Sequence, residues 1–200
     1  MRRALTVLLA IVTSFVSVTV LAAPAGAYTF LNYSSCRYDP ANDADGLGIG
    51  IDSTATTAEH NATVSAGGRW SVSGFEADFT YIGSNLGASK VDLRVTWANL
   101  GATIQAKTYY WCSSLAAHYT QDPVIKWGRN QSAYPWTTNN RIAVGVHEIG
   151  HSIGLDHNTN TSCNGAIAGL MYNDAIGKYN ACGWTSPTAD DVTGANDVHW

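Results

Sequence analysis

The sequence is poor in charged residues. Asp, Glu, Lys and Arg make up 13% of its 200 residues, and the formal net charge is −4. Proteins that bind nucleic acid through phosphate contacts carry basic patches, and this sequence has no such cluster. It also has no internal repeat, no charge block and no long linker. We therefore expect no nucleic-acid partner, and one folded domain behind an N-terminal segment.

Cysteine is also scarce, with four in the chain and no C-x-x-C pair. Cysteine ligands for zinc are therefore disfavoured, and structural disulfides are expected. Four cysteines allow three pairings, and the sequence alone does not choose among them. The favoured pairing joins Cys163 to Cys182, after the histidine motif described below. It also joins Cys36 to Cys112, which would tie the N-terminal segment to a strand.

One long uncharged run is present, at the N-terminus. The basic start Met1-Arg2-Arg3 precedes a mostly apolar stretch over 4–23, and Ala25-Gly26-Ala27 supplies the small residues that signal peptidase cleaves after. This pattern predicts a signal peptide over 1–27 and a secreted, extracellular domain over 28–200. The alternative is an uncleaved membrane anchor, which the five Ser and Thr residues within the run disfavour.

The sequence is richest in information between His147 and His157, where it has the pattern H-E-x-x-H-x-x-G-x-x-H. Three imidazoles, from His147, His151 and His157, can hold a zinc ion and leave a coordination position open for water. Glu148 lies beside the first imidazole and can accept a proton from that water. Gly154 can end a helix in a left-handed conformation, so that the chain turns back and brings His157 to the same metal.

Apolar spacing predicts a helix under the first two histidines. Four residues form a narrow stripe on a helical projection, each within about 40° of the first. They are Ile142, Val146, Ile149 and Ile153. On that projection His147 and His151 lie on the opposite side, one turn apart. Asn139 or Asn140 is the expected N-cap of this helix.

The remaining pattern predicts an α+β domain. A first helix is expected over 55–70, and Thr188 with Asp191 resembles a capping box at the start of a final helix. Val192, Ala195 and Val198 would face the core from that helix. Alternating residues predict strands over 47–52, 78–82, 91–97, 103–111 and 123–127.

The motif resembles that of the metzincin metallopeptidases. Members of that superfamily carry a methionine-containing turn after the third histidine. Gly169-Leu170-Met171-Tyr172 fits this turn, and Met171 is the only methionine besides Met1. The resemblance implies a zincin-like fold, with a mixed, twisted sheet of about five strands, a first helix, a zinc-binding helix and a C-terminal helix.

Within the metzincins the chain is most similar to the matrixins. Leu170-Met171-Tyr172 and the segment 188–194 look like the matrixin turn and C-terminal helix, so Asp190 or Asp191 is expected to hold the Met171 turn. The likeness also implies that substrate lies along an edge strand near 104–109, and that 172–176 walls the pocket beside the scissile bond. The likeness is sharp over 142–199 and extends upstream only as an order of elements.

Some matrixin features are missing. The sequence has no P-R-C-G switch motif and no His- and Asp-rich segment for accessory zinc and calcium sites. Asp39, Asp43 and Asp45 could offer oxygen ligands, but nothing indicates that they bind Ca²⁺. Residue 173 is Asn, where some other metzincins have a tyrosine ligand. We therefore expect one catalytic Zn²⁺ in a minimal secreted, monomeric peptidase that does not associate with membranes after signal cleavage.

The expected activity is hydrolysis of peptide bonds in a polypeptide substrate by a metal-activated water, with Glu148 as general base. One alternative is a secreted binding module that keeps the fold without catalysis, which the presence of Glu148 disfavours. Another is a zinc hydrolase acting on a non-peptide bond, which only the family resemblance disfavours.

Overall fold

The structure is a computed structural model that describes residues 29–30, 38, 46–88, 90–112, 119–129, 136–163 and 169–199. Within these residues the strands are β1 (Thr29–Phe30), β2 (Leu47–Ile51), β3 (Phe79–Gly83), β4 (Leu93–Ala98), β5 (Ala106–Cys112), β6 (Tyr119–Gly128) and β7 (Leu155–Asp156). The helices are α1 (Thr57–Ser71), α2 (Thr138–Ser152), α3 (Ala175–Cys182) and α4 (Ala189–His199).

Five of the strands form one mixed sheet in the order β3-β2-β4-β6-β5. The first four run parallel to one another, and β5 pairs antiparallel with β6 at the sheet edge. The predicted α+β class and the five-stranded mixed sheet are confirmed. Each predicted strand is present, with ends shifted by a few residues.

Two glycines explain why the chain can cross the outer face of β2. A Cβ on Gly48 would collide with the Lys90 carbonyl oxygen, and one on Gly50 would lie 2.9 Å from Val91. The Gly48 amide also donates to the Asp92 carboxylate at 2.6 Å. The connection between β3 and β4 therefore covers this face, and Leu47, Ile49 and Ile51 are left for the core.

Helices α1 and α2 pack against the other face of the sheet. Helix α1 begins with a capping box, in which Thr56 and Glu59 each accept a hydrogen bond from the other's backbone amide. Near its end, Trp70 is fully buried and donates its indole N–H to the Val146 carbonyl of α2 at 3.0 Å. The buried apolar residues of both helices and the sheet form one continuous cluster.

Helix α2 begins two residues earlier than the polar pattern suggested. The N-cap is Thr137, whose hydroxyl accepts from the Asn140 amide at 3.1 Å. The prediction of Asn139 or Asn140 as N-cap was wrong, because the threonine satisfies the first-turn amide and leaves both asparagines inside the helix.

The sequence interpretation missed three features. It predicted no helix where α3 lies, and it did not anticipate the two-residue pairing of β1 with β7. It began a strand at Pro123, whereas β6 begins at Tyr119 and Pro123 lies inside it. The register between β5 and β6 shifts beside this proline, so its missing N–H falls at a bulge rather than in a regular ladder.

The predicted signal peptide over 1–27 lies outside the described residues. Among the residues that are described, no helix is both long and apolar enough to cross a membrane.

Candidate metal centre

Helix α2 presents His147 and His151 on one side, with ring centroids 4.7 Å apart. The opposite side is the predicted apolar stripe. Each of its members, Ile142, Val146, Ile149 and Ile153, is at most 7% exposed. The helix therefore fills the core with one face while the other carries two imidazoles.

A reversal at Gly154 returns the chain to the same place. The φ angle of Gly154 is +99°, a region in which a Cβ would be strained, and β7 follows at once. The positive φ expected at this glycine is present. The reversal brings the ring of His157 to 4.6 Å from that of His151 and 5.1 Å from that of His147.

The three imidazoles converge through one nitrogen each. The Nε2 atom of His147 lies 3.1 Å from that of His151 and 3.2 Å from that of His157, and the His151–His157 separation is 3.1 Å. Sequence spacing predicted this meeting of three side chains, and the structure brings all three together.

Backbone carbonyls fix the orientation of the two helical imidazoles. The Nδ1 atom of His147 lies 3.1 Å from the Leu170 carbonyl oxygen, and that of His151 lies 2.7 Å from the Leu155 oxygen. A carbonyl only accepts, so each Nδ1 carries the proton and donates it. Each Nε2 is then unprotonated, and its lone pair faces the other two rings. This is the tautomer of a metal-binding histidine.

The spacing of the three nitrogens fits a metal ion. A tetrahedral site with metal–nitrogen bonds of about 2.0–2.1 Å holds its nitrogens about 3.3–3.4 Å apart. The observed 3.1–3.2 Å is close to that value. Lone pairs of Nε2 atoms repel one another at this distance, and a cation between them would satisfy all three. The cluster can therefore hold a metal ion.

Desolvation favours the neutral form of all three histidines, although His157 is more exposed than the other two. Desolvation, reinforced by the neighbouring His151, holds the pKa of His147 well below its ordinary value. Desolvation and the neighbouring His157 lower the pKa of His151 to about 4, and desolvation also lowers the pKa of His157. Neutral imidazoles are the form that binds metal, so the ligand set is prepared for an ion at neutral pH.

Glu148 follows His147 on α2, and its side chain is buried. It is 6% exposed, and burial raises the pKa of its carboxyl to about 7 although hydrogen bonds from Thr108 oppose the rise. A carboxyl with a pKa near neutrality can both take and give a proton at physiological pH.

The Met171 turn packs directly under α2. Met171 is fully buried, and a Cβ on Gly150 would collide with its Sδ atom. The carboxylate of Asp191, at the start of α4, accepts from the Leu170 amide at 2.8 Å and from the Met171 amide at 3.4 Å. Of the two aspartates expected to hold this turn, the structure shows that Asp191 does so.

The histidines and Glu148 line a cleft of about 550 Å³ between the sheet edge and the segment before α3. One wall is formed by residues from Thr103 through Thr108 and by Tyr110. The other includes Asn173, Asp174 and Ala175, with Val144 from α2. Both regions that the family resemblance assigned to substrate binding therefore border the cleft.

A disulfide and a buried lysine fasten the loop after His157 to α3. Cys163 and Cys182 form a disulfide, which is the pairing favoured from sequence. Lys178 is 3% exposed and donates from Nζ to the carbonyls of Asn160 at 2.8 Å and Ser162 at 2.7 Å. Cys112 is also disulfide-bonded, whereas Cys36, its predicted partner, lies outside the described residues.

Sequence reasoning missed three residues that shape the site, namely Thr108, Gly150 and Lys178. The partners of Thr108 and Gly150 lie 40 and 21 positions away along the chain, so no local spacing marks them. Gly150 could have been suspected, because a glycine inside a helix costs stability and usually has a packing reason. The calcium candidates Asp39, Asp43 and Asp45 lie outside the described residues.

The chain matches no protein-family model, and no curated protein matches it.

Proposed function

We propose that this protein is a secreted zinc-dependent endopeptidase of the metzincin superfamily, similar to the matrixins. The observation that carries the proposal is the convergence of three Nε2 lone pairs at 3.1–3.2 Å beside a buried carboxyl, inside an open cleft. The Met171 turn held by Asp191 supports the assignment to metzincins.

His147, His151 and His157 would hold the metal. Three imidazoles with no further protein ligand are typical of catalytic rather than structural zinc sites. When bound, Zn²⁺ polarises a carbonyl and makes water more acidic. Burial keeps the imidazole of His147 neutral, and backbone carbonyl oxygens accept hydrogen bonds from Nδ1 of His147 and His151. Both features favour binding of the ion through Nε2.

Glu148 is the proposed general base. Its carboxylate accepts a proton from the water that attacks the peptide carbonyl carbon. It then returns that proton to the amide nitrogen as the carbon–nitrogen bond breaks. Burial, which raises the pKa of Glu148 to about 7, suits a group that must perform both transfers.

The substrate would be an extended polypeptide. β5 is the terminal strand of the sheet and pairs on one side with β6, and its residues line the cleft. An extended chain can add to such an edge through main-chain hydrogen bonds. The wall at Asn173–Ala175 would then contact the side chain next to the scissile bond.

We also propose that the protein is exported and acts as a monomer. The N-terminal sequence has the pattern of a signal peptide, and the Cys163–Cys182 disulfide suits an oxidising compartment. The competing hypothesis, a secreted binding module without catalysis, differs in requiring no role for Glu148.

The decisive test is casein digestion by the zinc-loaded mature chain, with a matched pair of glutamate variants. Glu148→Gln should lower kcat by a factor of about 100 or more, since general base catalysis contributes at that level. Glu76→Gln should behave as wild type, because Glu76 is exposed and remote from the cleft. A chelator should abolish cleavage, and added zinc should restore it.

Metal analysis completes this test. Glu148→Gln should retain about one zinc per chain, whereas His151→Ala should bind it weakly. Cleavage that survives both the chelator and Glu148→Gln would overturn the mechanism. A zinc-loaded wild type that cleaves no polypeptide would favour the binding module instead.

A further inference from the structure

Thr108 lies in the middle of the edge strand β5 with its side chain turned toward α2. It is 7% exposed, and its partner in the antiparallel register is Ile125, a core residue. Its neighbours Lys107 and Tyr109 lie on the other face of the strand and are more exposed. A buried hydroxyl needs a hydrogen-bond partner, and Thr108 finds its partner on Glu148.

Two oxygens of Glu148 lie within reach of this one hydroxyl. Thr108 Oγ1 is 2.6 Å from Glu148 Oε2 and 2.9 Å from the Glu148 carbonyl oxygen. The shorter contact has the length of a charge-assisted hydrogen bond to a carboxylate. The carbonyl offers a second acceptor, so the hydroxyl remains paired whichever oxygen it donates to.

These contacts distinguish the two carboxylate oxygens of Glu148. Oε2 accepts from the Thr108 hydroxyl, and the Thr108 backbone also hydrogen-bonds to the carboxyl, whereas Oε1 is not sealed from the cleft. A glutamate has three rotatable side-chain bonds, so an anchor on one oxygen restricts where the other can point. The strand that borders the cleft thereby sets the direction of the reactive oxygen.

We infer that Thr108 is a positioning residue, which anchors Glu148 by Oε2 and leaves Oε1 directed at the water and substrate in the cleft. The inference rests on the proposed function, because it assigns Thr108 a role through the general base. Rates of proton transfer depend steeply on alignment, and misplacement by about 1 Å can cost a factor of about 100. Loss of the anchor should therefore affect kcat.

A purely structural role must be separated from this one, since the same hydroxyl also joins β5 to α2. Thr108→Val removes the hydroxyl at nearly constant shape, and Thr108→Ser keeps the hydroxyl while removing a methyl group. Thr120→Val is the matched control, because among the described residues the exposed Thr120 hydroxyl bonds only to the Trp111 carbonyl, at 3.1 Å and at the far end of the same strand pair.

The kinetic measurement compares kcat and KM of the zinc-loaded variants. Thr108→Val should lower kcat about 10- to 100-fold with KM changed less than about twofold and with zinc content unchanged. Thr108→Ser should recover kcat to within about threefold of wild type, and Thr120→Val should match wild type. An unchanged kcat in Thr108→Val, a failure of Thr108→Ser to recover it, or a parallel loss of zinc would overturn the inference.

A crystallographic measurement decides the same point without activity. In metal-free Thr108→Val crystals the Glu148 carboxylate should occupy more than one position, while in Thr108→Ser it should stay within about 0.5 Å of wild type. A single unchanged position in Thr108→Val would overturn the inference. If wild type proves inactive on polypeptides, the proposed function fails, and these crystal structures still show whether Thr108 positions Glu148.

Discussion

At the scale of single residues, Gly150 does what no other residue type could do between the two helical ligands. Gly150 immediately precedes His151. A Cβ at position 150 would collide with the Met171 Sδ atom, lie 3.0 Å from the Met171 Cε atom and lie 3.4 Å from the ring of Trp70. The missing side chain lets the methionine and tryptophan pack against the helix backbone. The turn of α2 that carries His151 therefore packs directly on two buried apolar side chains.

Gly150→Ala should therefore destabilise the protein although alanine is the better helix former. The gain in helix propensity is about 0.5–1 kcal/mol, while overpacking a rigid core costs about 1–3 kcal/mol. We expect a net loss of about 1–2 kcal/mol in the free energy of unfolding and weaker metal binding. Urea denaturation and a competitive zinc titration measure the two effects.

Gly68→Ala is the control for this change. Gly68 lies inside α1, and a Cβ there would meet nothing within 4 Å. Gly68→Ala should raise the free energy of unfolding by about 0.5–1 kcal/mol. If Gly150→Ala stabilised the protein as much as Gly68→Ala does, the close packing against Met171 would have no energetic consequence.

Local spacing was enough to predict that the three histidines converge and that Glu148 lies in the same site. A helix repeat places His147 and His151 together, and Gly154 accounts for the return of His157. The same reasoning could not identify Thr108, because its contact with Glu148 depends on how β5 crosses α2. Contacts between distant segments leave no periodic signal in a single sequence.

At the scale of elements, α4 is coupled to the candidate metal centre through its first turn. The Asp191 carboxylate accepts from the Thr188 amide and hydroxyl, both at 2.9 Å, and also from the Leu170 amide. The Leu170 carbonyl in turn accepts from His147. The predicted capping box of α4 thus also fixes the peptide that orients a ligand.

Asp191→Asn should damage both the fold and the site. The asparagine side chain has an NH₂ donor where the aspartate has its second acceptor oxygen. At least one buried backbone N–H is therefore left without an acceptor. We expect a loss of about 2–3 kcal/mol in the free energy of unfolding, the scale of hydrogen bonds to charged groups, and about tenfold weaker zinc binding. Asp78→Asn, at an exposed carboxylate just before β3, should change neither quantity. Equal effects of the two variants would contradict this coupling.

The elements differ in how far they could be predicted. Helices α2 and α4 carry apolar stripes or caps in their own sequence, and both were expected. Helix α3 has caps, with Asp174 at its start and Gly183 in the left-handed conformation at its end, but its eight residues are too few to show a clear apolar stripe. It buries Ala175, Ile176 and Lys178, and it is fixed by a disulfide and by Lys178 bonding to loop carbonyls. Its stability comes from tertiary contacts, which propensity does not report.

At the scale of the whole molecule, the metal centre draws on segments from much of the fold. The ligands come from α2 and from the chain just after β7, while their supports come from the Met171 turn and α4, and Glu148 is held from β5. Unfolding separates all of these segments. Metal binding would therefore stabilise the folded chain by an amount that grows with the logarithm of its affinity for the assembled site.

We expect zinc to raise the melting temperature substantially. Free zinc at about 1,000 times its Kd adds about 4 kcal/mol. For a chain of this size each kcal/mol corresponds to about 2–4 °C, which calorimetry resolves easily. His151→Ala should lose most of the increment, whereas His60→Ala should keep it, because His60 lies on α1 away from the cluster.

The pH dependence of this increment tests the assembled site, in which His147 and His151 are buried and the more exposed His157 also has a lowered pKa. Protons compete with zinc only below the folded pKa values, and burial lowers the pKa of His151 to about 4 and holds that of His147 well below the ordinary 6.5. The increment should therefore persist at about pH 5.5, where imidazoles with the ordinary pKa of about 6.5 are mostly protonated. The metal-free protein should behave differently. Between pH 6.5 and about 4 its unfolded chain binds more protons at His151 than the folded chain does, so this histidine makes folding less favourable as the pH falls. An increment that disappeared with a midpoint near pH 6.5 would show that zinc binds exposed histidines instead of the assembled centre.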